Sequence, residues 1–183
     1  MKILILNGNP NPDVHDFERY LARFTKILEE KGHGVALHTL RDMKIQPCSG
    51  CFNCWVKTPG LCSFKDDADK NARAFLAADL VILASPIIMG FISAITKNAM
   101  DRIIPLIHPY LIEVNGEVHH MKRYDAYPRL GLLLEKESCT DDEDMTIIHD
   151  IFKRAAINMH SSLDFVHYTT IPAEEAADAV DIH

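Results

Sequence analysis

The sequence predicts a three-layer α/β fold with helices on both faces of a parallel sheet, and three observations carry that expectation. Short apolar runs recur along the chain, at Lys2 to Leu6, Leu80 to Ala84 and Arg129 to Leu134. Segments with apolar residues at helical spacing separate them. Gly, Asn and Pro punctuate the junctions, most clearly at Asn7-Gly8-Asn9-Pro10. Strands that alternate with helices pair in parallel, because each connection has to cross the sheet.

Lys2 to Leu6 suits a strand buried on both faces. Phe17, Tyr20, Leu21, Phe24, Ile27 and Leu28 then recur at helical spacing, with Asp13 as the expected N-cap and Gly32 as the stop. Val35 to Leu40 reads as the second strand. Asp66-Asp67 opens a helix through Ala78, and Leu80 to Ala84 is the third strand. A helix from about Ile92 to Ile103 precedes a fourth strand, Arg129 to Leu134. Thr140-Asp141-Asp142-Glu143 has the pattern of a capping box for a helix through Ala155, and residues 163–168 form the fifth strand.

Five strands in the order 2-1-3-4-5 is the economical arrangement, and it leaves a ligand crevice at the carboxyl edge where the order reverses. Residues 105–128 interrupt the alternation as an inserted hairpin, in which Asn115-Gly116 turns Tyr110 to Val114 back onto Glu117 to His120. It suits a lid or a dimer contact. Residues 1–183 read as a single domain ending in a tail from about residue 170.

Nineteen basic against 26 acidic residues give a net charge of -7, which disfavours nucleic acid and anionic membrane surfaces as partners. No apolar stretch reaches transmembrane length, and a cytoplasmic location is expected. Five cysteines, four of them between positions 48 and 62, suit thiols or metal ligands in a reducing compartment better than disulfides. Cys48, Cys51, Cys54 and Cys62 have the spacing Cys-x2-Cys-x2-Cys-x7-Cys, which can wrap a [4Fe-4S] cube. Zinc or a loop without metal are the alternatives.

Several stretches together carry a family resemblance: Gly8-Asn9-Pro10, the run Cys48 to Trp55, Gly60-Leu61-Cys62 with Asp66-Asp67, and Ser85-Pro86 through Lys97-Asn98 and Asp101-Arg102. They resemble the NAD(P)H-dependent FMN reductase and iron-sulfur flavoprotein group of the flavodoxin-like superfamily. The resemblance implies a flavodoxin-like fold with FMN at the carboxyl edge. Its phosphate would lie along Gly8, Asn9, Pro10, Asn11, Asp16 and Phe17. Its ring would lie along Ser85, Pro86, Ile87, Ile88, Met89, Gly90 and Phe91. The resemblance also implies NAD(P)H as electron donor, a small-molecule or protein acceptor, a homodimer, and in the iron-sulfur members a cluster on the four cysteines. No catalytic base is assigned, since hydride chemistry belongs to the cofactor.

Asp13, Asp16 and Glu18 stand where a phosphate dianion would approach, and like charges at close range oppose it. The same acids suit the positive end of a helix. A flavodoxin-like domain that binds no flavin therefore stays open as a reading. Glu135 and Glu137 add negative charge to the fourth loop, and Cys139 precedes its helix. Lys97 and Asp101 are spaced for an ion pair on one helix face. Trp55 is expected in a packing role. His119 and His120, adjacent on a strand, point to opposite faces and are expected as solvated hairpin residues.

Overall fold

The computed structural model describes residues 1–180. In chain order the elements are β1 (Lys2–Asn7), α1 (His15–Glu30), β2 (Gly34–Thr39), α2 (Asn53–Val56), α3 (Ala68–Ala77), β3 (Leu80–Ile88), β4 (Phe91–Ile92), α4 (Ala94–Asp101), β5 (Ile107–Val114), β6 (Glu117–Lys122), β7 (Arg129–Glu135), α5 (Asp142–Asn158), β8 (Leu163–Tyr168) and α6 (Ala173–Ala179). The parallel strands lie in the order β2-β1-β3-β7-β8, which is the expected 2-1-3-4-5. β4 folds back antiparallel on β3, and β5 with β6 forms the inserted hairpin.

Alternation along each central strand divides the core. Ile3 and Ile5 of β1, with Leu80 and Ile82 of β3, bury against Phe17, Leu21 and Phe24 of α1 and the alanines of α6. Leu4 and Leu6, with Val81 and Leu83, face Phe75 of α3, Ala99 of α4 and Ile148 and Phe152 of α5. Successive side chains of a strand point to opposite faces, so an unbroken apolar run fills both layers.

Three helix starts differ from the sequence expectation. Ile92 belongs to β4, and α4 begins at Ala94 behind its cap Ser93. Val14, not Asp13, occupies the N-cap of α1 and makes no side-chain cap bond. At α5 the capping box is built by Asp141 and Asp144, one residue beyond the expected pair. The residues read as a tail include α6, which packs on α1 with Arg23–Glu174 at 2.8 Å and Lys31–Asp178 at 2.7 Å. Residues 181–183 of that tail lie outside the described residues. Among the described residues no helix is long and apolar enough to cross a membrane.

Candidate functional site

Three loops meet at the carboxyl edge of β1, β3 and β7 and line one open cleft of about 320 Å³. Asn9, Pro10, Asn11 and Val14 come from the first loop, Pro86, Ile87 and Ile88 from the end of β3, and Glu135, Lys136 and Glu137 from the end of β7. This is the point at which the strand order reverses.

The first loop is set by its own composition. Asn7, Asn9 and Asn11 each accept, through Oδ1, the N–H two residues on, from Asn9, Asn11 and Asp13, all at 3.0 Å. Such turns are a habit of asparagine. Pro10 and Pro12, placed between them, carry no N–H that would need a partner. Glu18 reaches back from α1 to close the ladder. It accepts from Asn9 Nδ2 at 2.8 Å, from Asn7 Nδ2 at 3.1 and 3.2 Å, and from Arg41 Nη1 at 2.7 Å. Burial works against ionisation of Glu18, yet the hydrogen bonds from Asn9, Asn7 and Arg41 outweigh it and hold its carboxyl below the usual range. Glu18 is thus an internal strut neutralised by Arg41, whereas Asp16 stays exposed and pairs with Arg19.

Within the first turn of α1, His15 N–H donates to Asp13 O and Glu18 N–H to Val14 O. The N–H groups of Asp16 and Phe17 have no acceptor among the described residues. The Phe17 side chain itself is in the core. Gly8 follows β1 directly, and a Cβ there would stand 1.7 Å from Thr96 Oγ1. The missing side chain lets Ser93 Oγ at the start of α4 donate to Gly8 O at 2.5 Å.

The stretch expected along a ring divides by exposure. Ser85 and Ile87 are buried, and the Ser85 hydroxyl is spent on Pro86 O at 2.8 Å and Ser93 N–H at 2.9 Å. Ile88 pairs with Phe91 across a tight turn through Met89 and Gly90, both at positive φ, 53° and 77°. Met89 N–H donates to Glu137 at 3.1 Å, and Gly90 leaves room for Asp144, whose Oδ1 would stand 2.4 Å from an added Cβ. Met89 therefore sits at an exposed tip while Phe91 turns away toward Phe152, its ring 6.3 Å distant. In the fourth loop, burial pushes the Glu135 carboxyl above its usual range and the negative charge of Asp16 adds to the effect.

The cysteine segment lies apart from this cleft. The expected [4Fe-4S] on Cys48, Cys51, Cys54 and Cys62 is corrected, and zinc with it: among the described residues no group of three or more His, Cys, Asp or Glu side chains is placed to hold a metal ion. The four line a narrow pocket of about 30 Å³ as free thiols in unlike surroundings. Cys48 and Cys51 are exposed, Cys54 is buried on α2, and the Cys62 sulfur accepts from Arg102 Nη2 at 3.3 Å. A hydrogen bond from the Asn53 backbone, helped by Ser49, draws the Cys51 thiol down from its usual range, while burial pushes that of Cys54 up. Arg102 and Asp66, both fully buried, tie this segment to α4 at 2.8 and 3.0 Å.

Trp55 packs as expected, donating to Ile107 O at 3.0 Å. Lys97 and Asp101 form their ion pair at 2.5 Å. His119, expected in solvent, is buried, and His120 lies 5.1 Å from the Trp55 ring. Sequence reasoning does not single out Val14 and Lys136 as contacts, although it puts the loops that carry them, after β1 and β7, at the carboxyl edge.

Comparison with known proteins places this geometry. An iron-sulfur flavoprotein of Methanocaldococcus jannaschii is 35% identical over 106 residues, 58% of this chain and 53% of that protein. The chain spans about half the length of the curated relatives it matches. Among solved structures, an azoreductase from Bacillus anthracis aligns over 100% of both chains at 14% identity with a TM-score of 0.72. An FMN-dependent NADH-azoreductase from the same species, in complex with FMN, aligns over 98% of both chains at 15% identity with a TM-score of 0.65. These two likenesses show the fold. Residues 1–110, more than half of the chain, match the NADPH-dependent FMN reductase family, and the chain belongs to that family.

Proposed function

We propose that the chain is an FMN-dependent NAD(P)H oxidoreductase that passes electrons onward to a small-molecule or protein acceptor. The observation that carries this reading is the convergence of residues 9–11 and 86–88 on one cleft whose lining includes Val14, the N-cap that precedes the unpaired N–H groups of Asp16 and Phe17. Two such donors at the positive end of a 16-residue helix suit a phosphate. Pro86 and Ile88 offer the flat apolar wall that an aromatic ring needs, and 320 Å³ falls within the ~300–1,000 Å³ of ligand pockets. The residues present therefore fit FMN. Family membership and the likeness to an FMN-bound azoreductase point the same way.

When bound, FMN supplies the redox chemistry between NAD(P)H and the acceptor. The chain's own residues bind and orient. The asparagine ladder with Glu18 and Arg41 fixes the phosphate-side loop, and Glu137 holds the Met89 peptide so that the wall at Ile88 keeps its place. Residues 1–183 act as a single unit in this reading. A homodimer is included, supported by Leu111 and Val118, both exposed on one face of the hairpin. Five free thiols suit a reducing, cytoplasmic setting.

Titration of the purified chain with FMN, followed by anaerobic addition of NADPH, tests the proposal. Stoichiometric uptake and bleaching of the flavin band are expected. Lack of uptake at millimolar FMN would sink it and favour the domain that binds no flavin, for which the negative charge that Asp16 and Glu135 bring to this edge is the supporting argument.

A further inference from the structure

We infer that the chain carries a second binding site, for a small planar aromatic carbonyl compound, in the pocket between α4, α5 and the inserted hairpin. This site does not rest on the flavin reading. The pocket has a volume of about 260 Å³ and shares no lining residue with the cleft at the carboxyl edge. β4 divides the two, since Ile88 faces the first cleft while its strand partner Phe91 lines the second.

The walls specify the ligand. Phe91 and Phe152 lie near parallel, 22° apart, and Met100 and Met159 complete a soft apolar enclosure suited to an aromatic body. A volume just under the ~300 Å³ where drug-sized pockets begin suits roughly two fused rings. Polar capacity is sparse and directional. Asn158 Oδ1 accepts from His120 N–H at 2.9 Å, which fixes the amide and leaves its Nδ2 as a donor with no acceptor among the described residues. Asp101 neutralises Lys97 at the rim, and His120, the remaining polar side chain of the lining, has its Nδ1 buried without a partner among the described residues. The oriented Asn158 donor, with the His120 ring as the other polar side chain outside the Lys97–Asp101 pair and apolar walls elsewhere, matches an acceptor oxygen on a flat ring, because such a donor gains only when an acceptor meets it.

The probe is 2-acetylnaphthalene, a bicyclic ketone, titrated into the full chain with and without saturating FMN and followed by NMR at the His120 backbone amide, which donates to the residue 158 side chain and stays in every variant. Saturable shifts there in both conditions are expected. Ala155→Phe, which fills the pocket, should abolish them. Asn158→Asp keeps the acceptor for His120 N–H and removes the donor, so it should weaken the ketone at least tenfold while leaving naphthalene, which lacks the oxygen, within twofold. This second variant stands in if Ala155→Phe fails to fold. The inference is overturned if no shift appears up to the solubility of the ketone, if FMN displaces it competitively, or if Asn158→Asp weakens ketone and naphthalene alike. Failure of FMN to bind leaves these readouts intact, so the two proposals fail separately.

Discussion

Two arginine–carboxylate pairs pin the two chemically suggestive loops, and they differ chiefly in burial. Arg41 and Glu18 meet at 2.7 Å with 21% and 26% of their side chains exposed, whereas Arg102 and Asp66 meet at 2.8 Å with only 2% and 1% exposed. The sealed pair relies on protein partners in place of water, and of its polar atoms Arg102 Nε finds none among the described residues. Asp66 also accepts from Gln46 N–H and Ala68 N–H, and Arg102 also donates to Gln46 O and Cys62 and lies over the Phe64 ring. The lesson is that similar pairs do unlike jobs. One braces a loop that water still reaches, and the other substitutes for a core beneath a segment with few apolar residues.

The largest effect should follow from opening the sealed pair. Arg102→Met leaves Asp66 buried without its counter-charge and should cost about 3–5 kcal/mol, read as a drop in urea midpoint at constant slope. A loss below ~1 kcal/mol would show that water enters the site and that burial does not separate the two pairs.

The half-open pair should matter less and in a pH-dependent way. Glu18→Gln keeps an acceptor for Asn9 and removes the charge facing Arg41, for an expected cost of about 1–2 kcal/mol near neutral pH. Its folded carboxyl lies below the usual range. The stability it contributes is therefore present above the unfolded value and lost as pH falls through the folded one. The difference between wild type and Glu18→Gln should shrink on acidification through that window. A difference that stays constant would assign the cost to shape rather than charge. In FMN titrations Glu18→Thr should weaken uptake, because the loop loses its strut, and a gain would mean that Glu18 faces the phosphate after all.

The same contrast explains what was legible in the sequence. Strand order, the hairpin with its Asn115-Gly116 turn, and the loops that meet at the cleft follow from apolar periodicity and turn chemistry, which are local signals. The fate of each acid was not local. Asp13, Asp16 and Glu18 look equivalent along the chain, and it is Arg41, 23 residues beyond Glu18 and just after β2, that with Asn7 and Asn9 draws Glu18 inward. The cysteines are a similar case. Their spacing admits a cluster, but α2 buries Cys54 and Arg102 claims Cys62, both consequences of packing. α6 was missed because alanines carry little periodic signal, although their small size lets the helix sit close against α1.

The smallest effect should come from the most exposed acid. Asp16 pairs with Arg19 on the surface, its side chain 83% exposed, so Asp16→Asn should change stability by no more than ~0.5 kcal/mol. Its influence should instead show at Glu135, whose carboxyl is raised first by burial and then by the charge of Asp16. A raised carboxyl contributes stability at low pH that is lost as pH rises through its folded value. Asp16→Asn should therefore move the Glu135 titration downward, seen in the carbon-13 shift of its carboxyl, and reduce that loss slightly. The titration should nevertheless stay above the ordinary glutamate range, because burial, the larger cause, is untouched. If the FMN phosphate lies at the Asp16 and Phe17 N–H groups, the same substitution should tighten FMN and leave riboflavin, which has no phosphate, unchanged. Equal effects on both flavins would place the phosphate elsewhere, and an unmoved Glu135 titration would show that Asp16 does not face the cleft.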